Sequence, residues 1–188
     1  MGAHEGQERD WYKNQGFSSV IWFEPNSLIF EKLKQNIEGY KGQTAFNLGI
    51  HDKLKETVLH ISSNNGESSS ILELGLHKEY HPEIHYVKDE TIKLVRLDNF
   101  IEDNSINLNR YNFLNIDVQG VELNVIKSFG EYIGRLDYIY VEVNEDEVYV
   151  ECSLLPDIDQ YLSEYGFIRL ATEMTKFKWG DAFYKRYA

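Results

Sequence analysis

Residues 112–129 read NFLNIDVQGVELNVIKSF. Phe113, Leu114 and Ile116 form an apolar run that ends at Asp117, the pattern of a buried strand. Val118-Gln119-Gly120 predicts a short turn. Val121, Val125 and Ile126 then recur at helical spacing, with Glu122 and Asn124 on the other side. A strand that ends in a carboxylate and turns straight into a helix sets that carboxylate at the carboxyl edge of a sheet. In open α/β sheets this edge is where ligands bind. The same spacing also allows Asp117 simply to cap the helix.

Upstream, residues 18–23 (SSVIWF) predict a strand ending at Glu24-Pro25-Asn26. A helix from Ser27 to Ile37 follows, capped by Asn26 or Ser27, with Leu28, Ile29, Leu33 and Ile37 on its inner face. Ahead of that strand, Gly2 and Gly6 frame a loop that leads into a helix through Trp11 and Tyr12. Glycines there let the backbone approach a ligand closely. Their spacing is not the G-x-G-x-x-G of a dinucleotide site. Glu24 stands 18 residues past Gly6. An acid at the end of a second strand, about 20 residues after a glycine loop, is placed to accept from both hydroxyls of a ribose. A carboxylate suits that role, having two acceptor oxygens and no donor. An ordinary surface glutamate is the alternative. Residues 43–50 (QTAFNLGI) predict a third strand running into His51-Asp52.

Residues 57–62 (TVLHIS) and 91–97 (TIKLVRL) alternate as strands do, with His60 and Lys93 outward. Between them lies SSNNGESSS, residues 62–70. The region 57–97 is therefore expected to be a hairpin-like insertion with a flexible lid, most of its serines solvated. His77, His81 and His85 recur every four residues, but Pro82 interrupts the helix that would align them, and no carboxylate completes a metal shell. Surface histidines around the lid are expected instead. Asp98 begins a helix or turn. DYIYVEV (137–143) is a strand ending at Glu142 and Asn144. PDIDQYLSEY (156–165) is a helix with Pro156 in its first turn and Gly166 past its end. FIRLA (167–171) and DAFYKRY (181–187) form a closing antiparallel pair. The expected organisation is one α/β domain over residues 1–188.

The totals agree with a globular domain: 188 residues, 42% hydrophobic and 14% aromatic. A net charge of −12 repels phosphate backbones and argues against a nucleic-acid partner. No apolar run is long enough for a membrane span, and no signal-peptide pattern opens the sequence. The single cysteine, Cys152, excludes an internal disulfide and any cysteine-built metal site, which fits a reducing, cytoplasmic location.

The segment LNIDVQGVELNVIKSF resembles the "lKiDVEGaElevLkG" signature of FkbM-type S-adenosylmethionine-dependent methyltransferases. It departs from that signature at Asn115, where the family has Lys, and at Gln119, where it has Glu. Further matches follow in the family's order: the Gly2–Gly6 loop resembles "DvGAnxGqy", FEPN at Glu24 resembles "fEPxp", the stretch to Asp52 resembles "xxxalsD", LDNF at Asp98 resembles "tLDdl", and the strand to Glu142 resembles "i.iEv". The resemblance implies a Rossmann-like class I methyltransferase sheet with helices on both faces. It implies that Gly2, His4, Glu5 and Gly6 hold the methionine end of the cofactor, Glu24 the ribose, and the segment to Asp52 the adenine, with Asp117 and Val118 beside them. The family also has a strand and an Asp immediately before the glycine loop. This sequence has neither, and Met1 stands where the family has Val or Ile. The expectation is that the first, central strand is missing from the sequence as it stands and that the natural start lies upstream.

The function implied is O-methylation of a hydroxyl on a sugar, glycan or small metabolite. Asp117 is the first candidate for catalytic base or acceptor-positioning group, and Glu142 a second carboxylate that steers the acceptor. Asp117, Glu142 and the run Glu145-Asp146-Glu147 have the oxygens to bind a divalent cation, but a solvated charge run is the favoured account, and no metal ligand is assigned. The alternative function is a truncated or catalytically silent Rossmann-like binding domain.

Overall fold

The computed structural model describes residues 1–187. In chain order, its first half comprises α1 (Arg9–Asn14), β1 (Val20–Phe23), α2 (Ser27–Asn36), β2 (Gln43–Phe46), β3 (Gly49–Ile50), β4 (Lys55–Ser62), α3 (His77–Tyr80), β5 (Tyr86–Val95) and α4 (Leu97–Asp103). The second half comprises β6 (Phe113–Ile116), α5 (Glu122–Lys127), β7 (Tyr138–Asn144), α6 (Leu155–Ser163), β8 (Phe167–Met174) and β9 (Trp179–Arg186). Short 3-10 turns at Leu108–Arg110 and Gly130–Arg135 complete it.

The strands pair in three groups. β1 runs parallel to β2. β6 runs parallel to β7, which pairs antiparallel with β9, and β9 with β8. β4 and β5 form the expected antiparallel hairpin, paired from Lys55↔Leu94 to Ile61↔Lys88, with a register shift before Ser62↔Tyr86. That hairpin is longer than expected, and Leu97 opens α4 rather than ending the strand. The third strand expected over 43–50 is split. β2 stays beside β1, while Gly49–Ile50 peels off to pair in parallel with β5 and ties the hairpin to the sheet.

Strand alternation explains the two-sided core. Phe23 joins Leu114, Ile116, Ile139, Val141 and Val143 against α4, α5 and α6, where Phe100, Val125, Ile126, Ile158 and Leu162 are buried. Its neighbour Trp22 faces the other way and packs with Tyr12 of α1 and Leu33 of α2. Asn26 caps α2 by accepting from the Leu28 and Ile29 N–H groups. Leu28, expected on the inner face, is 68% exposed because it sits in the first turn, pointing away from Leu33 and Ile29.

Among the described residues, no strand pairs with the facing edges of β1 and β6. A cleft of about 310 Å³ lies between them, lined by Ile21, Phe23, Phe113, Leu114, Tyr12 and Phe100 among others. Met1–Ala3 span its mouth. The Met1 amine donates to Asn115 O at 2.7 Å, Asp117 N–H donates to Met1 O at 3.1 Å, and Ala3 N–H donates to Phe23 O at 3.0 Å. These bonds tie the N-terminal segment to β6 on one side and to the end of β1 on the other. Burial pushes the Met1 ammonium down to a pKa of about 6.

Candidate functional site

The carboxyl tips of β1, β6 and β7 open on one cavity of about 490 Å³, a size typical of small-ligand sites. Glu24, Asp117, Val118 and Glu142 line it, with Met1, Gly2 and His4 from the N-terminal loop. Five carboxylates (Glu8, Glu24, Glu67, Asp117 and Glu142) line this cavity, and no Lys or Arg does.

The loop is shaped by backbone approach. Gly2 has φ +68°, and a Cβ there would lie 1.6 Å from the Asp117 carbonyl oxygen, so only glycine fits. The two chain segments thereby come into direct contact at the cavity floor. His4 also takes a left-handed φ of 44° and turns its N–H onto Glu24 Oε2 at 2.8 Å. Glu24 Oε1 accepts from Asn26 N–H at 2.8 Å. Each oxygen retains a second acceptor position. Glu24 is 7% exposed, and burial raises its pKa against the pull of these two N–H groups.

Asp117 does not cap α5. The helix begins at Glu122, and its N-cap residue, Val121, provides no side-chain cap. Instead the turn is closed by Glu122, whose Oε1 accepts from Val118 N–H at 3.2 Å and Gly120 N–H at 2.9 Å. Glu122 is fully buried rather than outward-facing as its spacing suggested, and burial pushes its pKa up to about 7. With the turn's donors satisfied, the Asp117 carboxylate is free to face the cavity.

Gln119 connects the two candidate catalytic acids. Its Nε2 donates to Asp117 Oδ1 at 2.5 Å and to Glu142 Oε2 at 3.0 Å. Its Oε1 accepts from the Tyr149 hydroxyl at 2.5 Å. The orientation follows from chemistry, since the Asp117 carboxylate offers only acceptors and meets the N–H₂ end, while the Tyr149 hydroxyl donates to the oxygen. Gln119 is held at φ +57°, and Ser70 Oγ donates to its carbonyl at 2.6 Å. Burial, and then the Asp117 charge, push Glu142 well above the carboxylate range. Burial raises Asp117 as well, but Asp117 reaches the solvent of the cavity and its shift is screened accordingly. Of the two acids, burial favours the protonated form more strongly at Glu142.

Other expected site residues lie elsewhere. Glu5 forms an ion pair with Lys32 at 2.6 Å outside the cavity wall. Gly6 packs against Leu33 of α2, where a Cβ would come within 2.7 Å of its Cδ1. Asp52 pairs with His51 and accepts from the Asn124 side chain, while Gly49 and Ile50 provide that part of the wall. Glu145, Asp146 and Glu147 are exposed. Among the described residues, no group of three or more His, Cys, Asp or Glu side chains is arranged to hold a metal ion.

The lid and its histidines also differ from expectation. Ser62, Ser68 and Ser70 are buried, and Ser62 and Ser68 bond to Asn64 at 2.6 and 3.0 Å. The loop is a bonded turn closed over the cavity, not a solvated linker. His77 is buried and lines the cavity with His81, its ring 5.6 Å from that of Tyr149, while His85 turns away to Ser63 and Glu83. Tyr149, Trp179 and Asn144 complete the far wall. No sequence spacing marks Tyr149 or Trp179; only Asn144, two past Glu142 on the same strand face, carried a signal.

A mixed α/β chain whose strand tips converge on one cavity is consistent with a methyltransferase-like α/β fold. The family model described as methyltransferase FkbM domain matches residues 1–169 of the 188. The chain belongs to the FkbM methyltransferase family. No curated protein and no solved structure matches it. No helix among the described residues is long and apolar enough to cross a membrane.

Proposed function

We propose that the protein transfers a methyl group from S-adenosylmethionine to a hydroxyl of a sugar, glycan or other small metabolite. The observation that carries this reading is the convergence of Glu24, Asp117 and Glu142 on a single cavity beside the Gly2–His4 backbone. The remaining acceptor positions of Glu24 suit two ribose hydroxyls, and a wall of carboxylates without Lys or Arg suits a sulfonium cation. When bound, the cofactor supplies an electrophilic methyl group. The chain's own work is to hold the acceptor oxygen in line and dry, which contributes much of the rate. Asp117, the acid more exposed to cavity solvent, takes the hydroxyl proton. Glu142, protonated, donates to the acceptor and fixes its angle. Gln119 keeps the two acids at their spacing. Thermal-shift assays with S-adenosylhomocysteine and with NAD test this: stabilisation by the first and not the second is expected, and the reverse overturns the reading.

A second reading, a catalytically silent binding domain, is favoured by the open cleft between β1 and β6. Among the described residues the facing edges of β1 and β6 have no strand partner, and an apolar cleft lies beside the point where Gly2 and Asp117 meet. S-adenosylhomocysteine binding by the folded 188-residue chain separates the two: stabilisation supports methyl transfer, and its absence supports the silent domain.

A further inference from the structure

Two buried polar atoms in the cavity have no partner. Asn144, the last residue of β7, is 1% exposed, and its Nδ2 makes no hydrogen bond. His77, on α3, is 6% exposed; its Nε2 lies 3.3 Å from Ser68 Oγ, while its Nδ1 is unpaired. Buried donors and acceptors are nearly always satisfied in folded proteins, so two orphans on one cavity point to a ligand that satisfies them. Both lie on the β7 side of the cavity: Asn144 ends β7, and His77 N–H donates to Val148 O at 3.0 Å. Asn144 shares a strand face with Glu142, and His77 comes from the lid side, with Tyr149 and Trp179 between the elements. Burial and the neighbouring His81 push the His77 pKa down, so it is neutral at pH 7 and adds no positive charge.

We propose that this end of the cavity is the acceptor subsite and that it selects an uncharged, hydroxyl-bearing acceptor, with Asn144 Nδ2 donating to one acceptor oxygen and His77 Nδ1 bonding a second polar group. The assignment rests on the methyl-transfer reading above. An acceptor bearing phosphate or carboxylate would meet the Asp117 carboxylate, with no Lys or Arg side chain lining the cavity to receive it. The aromatic faces of Tyr149 and Trp179 provide apolar surface for a ring beside these polar groups.

The test uses ¹⁵N-labelled full chain with S-adenosylhomocysteine present, and three probes: methyl glucoside, glucose 6-phosphate and glucuronate. The Asn144 side-chain amide pair is identified by its absence in Asn144→Leu and, should that variant fold poorly, in the shape-conserving Asn144→Asp. Methyl glucoside is expected to shift this pair, and the two anionic probes to leave it in place. Asn144→Leu is expected to weaken methyl glucoside binding at least tenfold and to leave S-adenosylhomocysteine affinity within twofold. No shift with methyl glucoside, or an equal or larger shift with glucose 6-phosphate, overturns the proposal. Failure of the unsubstituted protein to bind S-adenosylhomocysteine overturns the methyl-transfer reading instead, while the glucoside shift still decides whether this end of the cavity takes uncharged ligands.

Discussion

Glu122 has no exposed surface, yet its carboxylate holds the turn that aims Asp117 at the cavity. Its folded pKa, about 7, lies above the ordinary 4.5. Below about pH 4.5 the group is protonated in folded and unfolded chains alike. Between there and about 7 the folded chain keeps a proton that the unfolded chain releases, so stability falls as pH rises through this window. Burial raises Glu142 and Asp117 too, which adds to the same slope. Glu122→Gln keeps an oxygen for Val118 and Gly120 and removes the titration. Denaturation at pH 5 and pH 8 is expected to show a smaller loss for the variant than for the unsubstituted chain, the difference being on the order of 2 kcal/mol. An unchanged pH slope would contradict the assignment. At the proposed reacting centre, Asp117→Asn removes the proposed base while keeping a group that can face Gln119. A fall of about 10²- to 10⁴-fold in turnover is expected, with cofactor affinity little changed.

Among the elements, the strand–turn–helix over 113–127 was legible because its apolar spacing switches from period 2 to helical within a few residues. The α2 cap was legible too, since Asn26 precedes an apolar helical pattern, and Asn26→Ala is expected to cost about 1 kcal/mol in thermal or urea unfolding. Its backbone N–H still reaches Glu24, so cofactor affinity should change far less than stability. The lid was misread from composition. A serine- and asparagine-rich run looks solvated, but these side chains bond each other and bury their hydroxyls, information carried by three-dimensional pairing and not by residue type. Ser70→Ala, which removes the bond to the Gln119 carbonyl, is expected to leave the melting temperature within a few degrees. It is also expected to raise hydrogen exchange across 62–70. Unchanged exchange would show that the bond does not secure the lid.

At the scale of the molecule, function depends on residues far apart in sequence meeting at one edge. Glu24 and Asp117 were readable as strand tips, because a carboxylate after an apolar run has few other places to be. Tyr149 and Trp179 were not, because they come from a loop and a strand start that acquire meaning only once β7 and β9 are paired. Glu5 and Asp52 followed the family's pattern in sequence but are drawn outside the cavity wall by Lys32 and by His51 and Asn124. Glu24 is thus the side chain through which the cofactor assignment stands or falls. Calorimetric titration of S-adenosylhomocysteine into the full chain and into Glu24→Ala measures it most directly. Binding by the first, weakened at least tenfold in the second while both remain folded, is the predicted result; equal affinity for the two, or no binding by either, would contradict it.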